Sequence, residues 1–250
     1  MRKDVHIMQN CVHENSMIIP SMISIFPTYR CGNDCKYCLL NKNKVSCKKL
    51  DIDELAHRLS IIIEIIERDY RWMDIEFLLG DDKQNFDPKI INQIVALSKK
   101  IPIQIAMNDV DYEFSTIVCA RHITSIDNLS KKVGQDFKTF VVTKDNFKSL
   151  TPEILATCRF NTTFIIDSAL QSLEVKNQII KYLTENGVLM VGFSSKCLNM
   201  KGLNFDVFAD SGLITLSCSK KITNIIGHVD FENKKFVITK THCNKNCKLI

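Results

Sequence analysis

Apolar and polar positions along this chain fall into blocks whose period switches between that of a strand and that of a helix. Met22 to Phe26 is a short apolar run bounded by Pro27 and polar residues, which predicts a buried strand. Asp51-Ile52-Asp53-Glu54 has the form of a capping box, and Ile52, Leu55, Ala56, Leu59, Ile62, Ile63 and Ile66 keep helical spacing to about Asp69. Met73 to Leu79 then reads as a strand that stops at Gly80-Asp81-Asp82. Asp87-Pro88, a capping residue followed by proline at the first helical position, opens a helix through Ile90, Ile91, Ile94, Val95 and Leu97. Further strands are predicted at Ile101 to Met107, Ile123 to Ile126, Lys138 to Thr143 and Thr162 to Ile166. The helices between and after them run from about Tyr112 to Ala120, from Thr151-Pro152, and from Ser172 to Asn186, the last stopping at Gly187. Trp72 and the Ile61 to Ile63 run read as core. Such alternation predicts parallel β/α units, hence a barrel or doubly wound sheet with its active site at the carboxyl ends of the strands.

From Val188 the texture changes to short strand-like runs and turns without long helices, which predicts a second, smaller module over residues 188–250 after a first over 1–187. Met1 to Ser21 has no clear period and reads as a lead-in strand or arm.

Composition narrows the setting. The chain has 250 residues, 45% hydrophobic and 24% charged, enough for one large domain or a domain with an appendage. Its longest apolar stretch, Ile61 to Ile66, is interrupted by Glu64, and Met1 to Ser16 has no apolar h-region. Neither a membrane span nor a secretory signal is expected, and a cytoplasmic location follows. In that reducing setting eleven cysteines read as metal ligands and free thiols rather than as a disulfide framework. The net charge of +5 is spread along the chain and suits an acidic or phosphate-bearing partner. No basic run with interleaved aromatics calls for nucleic acid.

The chemistry concentrates just after the first strand, where Cys31, Cys35 and Cys38 stand at spacing Cys-x3-Cys-x2-Cys in a loop with Gly32, Asn33 and Asp34. Three thiolates so close together select a soft metal: zinc, copper(I) or an iron-sulfur cluster. A fourth ligand would have to come from Cys47, beyond a lysine-rich run, as in a zinc knuckle; otherwise one metal position is left open.

With Tyr37 directly before the last cysteine, this loop resembles the signature of the radical SAM superfamily. The resemblance implies a partial (β/α)6 TIM-like barrel, α/β in class. In it the three cysteines hold a [4Fe-4S] cluster, S-adenosylmethionine binds the fourth iron, and Tyr37 lies beside the adenine. The family often carries Gly-Gly-Glu-Pro after the second strand; Leu79-Gly80-Asp81-Asp82 is similar in keeping Gly80 and an acid, Asp81, while the first glycine and the proline are missing. Met107-Asn108-Asp109 resembles Thr-Asn-Gly after the third strand in its asparagine alone. Ser125-Ile126-Asp127-Asn128 resembles the Ser-hydrophobic-Asp-Gly after the fourth. Gly80, Asp81, Asn108, Ser125 and Asp127 are therefore the implied contacts to S-adenosylmethionine.

The C-terminal region carries the second constellation: Cys197, then Cys218 six residues after Gly212, then Cys243-x3-Cys247. Two hairpin-like units ending near cysteine can bring four sulfurs round one [4Fe-4S] cluster, and the same four suit structural zinc. The arrangement resembles the Twitch module, the shortened SPASM domain that follows the barrel in a subgroup of the superfamily, although the Gly212–Cys218 and Cys243–Cys247 spacings are each one residue longer than usual. Cys11, Cys47, Cys119 and Cys158 gain no role from spacing; Cys119 and Cys158 read as packed thiols, His228 and His242 as surface or packed histidines.

Membership would make the chain an iron-sulfur oxidoreductase or maturase. It would cleave S-adenosylmethionine reductively to a 5′-deoxyadenosyl radical and abstract a substrate hydrogen. A fully ligated second [4Fe-4S] cluster would take up an electron and complete a net oxidation, by dehydrogenation or cross-link formation. The subgroup points to a peptide or protein side chain as substrate, with a small molecule such as an aminocyclitol as the alternative. Flavodoxin or ferredoxin would be the electron donor. A zinc-binding adaptor without catalysis is the non-enzymatic alternative. No residue is singled out as catalytic base.

Overall fold

Each helix begins where its sequence supplies a cap. The Asp51 carboxylate accepts the Glu54 backbone N–H at 2.8 Å and opens α1 (Ile52–Ile65), whose Leu55, Leu59 and Ile62 are fully buried on one face. A π-helical turn, Ile66–Tyr70, prolongs it. Asp87 caps α2 (Pro88–Ser98) with proline in its first turn, Thr151 caps α3 (Pro152–Thr157) in the same manner, and Ser172 caps α4 (Leu173–Glu185). These elements belong to a computed structural model that describes residues 20, 22–28, 49–108, 120–129, 137–143, 146–158, 162–167, 172–194, 204–216 and 225–239.

The strands are β1 (Met22–Phe26), β2 (Asp74–Gly80), β3 (Ile103–Asn108), β4 (Ala120–Ile123), β5 (Phe137–Val142), β6 (Thr162–Asp167) and β7 (Val191–Ser194), followed by β8 (Asn204–Phe208), β9 (Leu213–Leu216), β10 (Ile225–Asp230) and β11 (Lys235–Ile238). They form one mixed sheet in the order β11-β10-β9-β8-β1-β2-β3-β4-β5-β6-β7. From β1 to β7 each strand pairs parallel with the next. β8 pairs parallel with the other side of β1, and β9 to β11 continue antiparallel.

β7 and β8, consecutive in sequence, stand seven places apart in the strand order.

Several details differ from the sequence expectation. β4 runs from Ala120 to Ile123 instead of 123–126, because pairing with β3 at Ile105, Ala106, Met107 and Asn108 decides it and not the apolar pattern; Ile126–Asn128 is a 3-10 turn. A seventh parallel strand lies beyond residue 187, so six β/α units do not exhaust the parallel sheet. Among the described residues, Phe205, Val207, Ala209, Ile214, Ile226 and Val229 share one apolar cluster with Ile23, Ile25, α1, α2 and Phe77. Trp72 is not core. It is 61% exposed, since it falls in the turn before β2, where Ile75 and Phe77 supply the buried positions. Ile61 and Ile62 are buried as expected, and so is the Cys158 thiol, while His228 is exposed on β10.

Candidate metal and cofactor site at the carboxyl edge

The side chains that end the parallel strands are mostly polar. Thr28 follows β1, Gly80-Asp81-Asp82 end β2, Asn108 ends β3, Thr124 and Ser125 follow β4, and Thr143 follows β5. The carboxyl edge is where a parallel α/β sheet offers polar groups to a ligand.

The end of β2 has a shape of its own. Pairing with β3 slips between Leu78 and Gly80, leaving Leu79 as an extra residue, and Gly80 takes φ +59. Such a bulge re-aims the backbone, and the left-handed conformation suits glycine because it carries no Cβ. The buried Asn85 amide fixes the bulge, its Nδ2 donating to the Leu79 carbonyl at 2.6 Å.

The next turn holds both ends of the cysteine segment. The buried Thr28 hydroxyl donates to Asp82 Oδ2 at 3.0 Å. Asp82 Oδ1 accepts the Gln84 backbone N–H at 3.0 Å, and Gln84 Nε2 donates to the Leu50 carbonyl at 3.1 Å. Residues 29–48 thus leave from and return to one three-residue turn, with Cys31 three residues after Thr28 in sequence.

Gly80, Asp81, Asn108, Ser125 and Asp127 are brought to the same edge on successive strands. Met107 faces Gly80 across the ladder and Asn108 faces Ile123, after which come Ser125 and Asp127. Asn108 is buried, Asp81 is half-buried, and Ser125 and Asp127 are exposed. Tyr37, Cys31, Cys35, Cys38, Cys197, Cys218, Cys243 and Cys247, like Cys11, Cys47, Cys119 and His242, lie outside the described residues. Among the described residues no group of three or more His, Cys, Asp and Glu side chains gathers as a metal site.

The edge suits a polar cofactor on one further observation. Thr139 of β5 lies on the sheet face opposite Phe140 and Val142, in the same ladder row as Ile123 and, through it, Asn108. Its hydroxyl is buried and has no hydrogen-bond partner among the described residues. A buried hydroxyl left unmet costs about 1–3 kcal/mol, which a ligand oxygen or nitrogen at this site would recover. On the β1 side of the same edge, Phe26 and Phe208 stack with centroids 4.7 Å apart and, with Leu78 and Leu213, make a small apolar cluster on the β1, β2, β8 and β9 strands. Thr28, Asp82, Gln84 and Thr139 were not singled out by spacing. Only the polar character of Thr28 and Asp82 at strand ends hinted at them, and Thr139 looks like any strand threonine.

The amino edge is organised differently. β9 and β11 run opposite to β8, so Leu216 and Thr239 end at that edge, next to where Asn204 and Ile225 begin. Segments 195–203, 217–224 and 240–250, which carry Cys197, Cys218, Cys243 and Cys247, all adjoin this corner in sequence. No family model, no curated protein and no solved structure matches this chain.

Proposed function

We propose that the chain is a radical SAM enzyme of the Twitch type that completes a net oxidation of its substrate, a peptide or protein side chain. The observation that carries this reading is the carboxyl edge: the Cys31, Cys35, Cys38 segment is tied at both ends to the turn after β2, beside the Gly80 bulge and on the edge that bears Asn108 and Ser125. When bound, the cluster and S-adenosylmethionine would supply one-electron cleavage of the sulfonium and hydrogen abstraction from an unactivated C–H bond.

The chain's own residues bind, orient and exclude water. Cys31, Cys35 and Cys38 would hold the cluster, and Tyr37 would lie along the adenine. Gly80, lacking a Cβ, lets a ligand approach the β2 backbone, and Asp81 supplies an acceptor for an ammonium group. Asn108 and Thr139 offer neutral hydrogen bonds, and Ser125 and Asp127 reach from the turn after β4. The Phe26–Phe208 stack keeps water from the β1 side of the edge. Cys197, Cys218, Cys243 and Cys247 would ligate a second [4Fe-4S] cluster without an open position, suited to passing an electron onward, with a flavodoxin or ferredoxin as donor to the first.

Anaerobic reconstitution with iron and sulfide quantitation tests the reading, on the chain and on the variant with Cys31, Cys35 and Cys38 replaced by alanine. About eight irons falling to about four in the variant are expected. Zinc in place of iron would overturn the radical reading.

A further inference from the structure

We propose that Asp82 is a positioning residue that holds the base of the cysteine segment, so that retention of the metal depends on a side chain outside the Cys31, Cys35 and Cys38 set. The inference rests on the function proposed above. The Asp82 carboxylate accepts from both sides: Thr28 Oγ1 on Oδ2 and the Gln84 backbone N–H on Oδ1, each at 3.0 Å. Gln84 then reaches the Leu50 carbonyl at 3.1 Å, one residue before the cap of α1. One turn therefore fixes the exit from β1 and the entry to α1.

That turn is itself held. Asp82 caps the 3-10 helix Lys83–Phe86, Asn85 within it binds Leu79, and α2 follows directly. α1 and α2 are joined in turn by Gln93 Nε2, which donates to the Ala56 carbonyl at 3.0 Å. Thr28 and Leu50, on either side of the cysteine segment, are thus tied to elements of the larger described apolar cluster.

Binding a metal in a loop requires the loop to be ordered, and the binding free energy is spent partly on that ordering. A base already closed by hydrogen bonds leaves less chain to order, because closure entropy rises with the length of free loop. Cys31 is three residues beyond Thr28, within reach of that constraint. Releasing Thr28 from Asp82 lengthens the stretch of chain between fixed points on the β1 side, next in sequence to Cys31.

The test measures the rate at which reconstituted protein gives up iron to a chelator under anaerobic conditions. The phase absent from the Cys31, Cys35, Cys38 triple variant is the one followed. Asp82→Ala and Thr28→Val are expected to release this iron about fivefold faster, the equivalent of one net hydrogen bond. Asp82→Asn keeps an acceptor for Gln84 and a group that can pair with the Thr28 hydroxyl, and is expected to stay within about twofold of the unaltered chain. Thr28→Val removes a hydroxyl at nearly constant volume, so it decides the matter if Asp82→Ala does not fold. Release at the unaltered rate from folded Thr28→Val overturns the clamp while leaving the proposed function standing. An unaltered chain that takes up no iron overturns both.

Discussion

The half of the sheet around β1 and the half around β5 bury their apolar surface in different ways. Around β1 the cluster is large and aliphatic, filled by Ile23, Ile25, Leu59, Ile62, Phe77 and Ile94, and it runs without interruption into Phe205, Val207 and Ile226 of the C-terminal strands. Around β5 the described cluster is smaller, built on Phe140, Phe164, Leu155 and Ile179, and it admits polar groups. The Lys138 ammonium is almost wholly buried there and donates to the Asn128 and Leu129 carbonyls at 2.9 and 2.7 Å. Cys158 Sγ approaches the same Leu129 carbonyl at 3.6 Å.

The difference bears on function because every cysteine-bearing segment assigned to a cluster adjoins the β1 half, apart from the β7 end of segment 195–203. Segment 29–48 joins β1 to α1 at the carboxyl edge, and the later cysteines adjoin β8, β9 and β11 at the amino edge. Metal ligands need a base that does not yield, and the proposed function places its ligands next to the larger of the two cores. The C-terminal strands are part of that base. Arg58 of α1 donates to the Asp210 carbonyl at 2.9 Å and lies over the Phe231 ring, and Tyr70 stacks on Phe236.

Breaking the β1 half at its outer corner should have the largest effect. A Cβ at Gly227 would fall on the Val237 carbonyl oxygen of the neighbouring strand. Gly227→Val is expected to cost about 4 kcal/mol in urea unfolding, among the largest single-site losses. Under the proposed function it should also remove the iron assigned to Cys197, Cys218, Cys243 and Cys247 while sparing that assigned to Cys31, Cys35 and Cys38. Loss of both together would mean that the two edges are not independently anchored.

The β5 half is probed by Lys138→Met, which keeps the aliphatic stem and removes the ammonium that donates to two carbonyls. A loss of about 2–3 kcal/mol is expected by the same measurement. A variant as stable as the unaltered chain would show that the buried ammonium contributes no more than a methionine would, and the contrast between the halves would shrink to one of size.

The smallest effect should come from Lys234→Ala. Its Nζ pairs with Glu64 at 2.9 Å across the hairpin and α1, but both side chains are about half exposed. A change of under about 0.5 kcal/mol is expected. Anything much larger would mean that the hairpin is held to α1 by charge rather than by Tyr70, Phe236 and the shared core.

Much of this molecule is written locally. Asp51, Asp87, Thr151 and Ser172 announce their helices because a cap needs only its own residue and the N–H groups two or three positions on. The alternation of strand and helix up to α4 is legible for the same reason, and so are Gly80, Asp81, Asn108, Ser125 and Asp127 as residues at strand ends. The grouping of cysteines at residues 31–38 and 197–247 is likewise plain in the chain itself. Tertiary structure decided the rest. That β8 lies beside β1, that β4 begins at Ala120, and that Trp72 faces solvent depend on partners distant in sequence. The Thr28–Asp82 bond joins residues 54 positions apart. No local pattern encodes such a pairing, because a threonine and an aspartate meet only after the strands beneath them have been laid side by side.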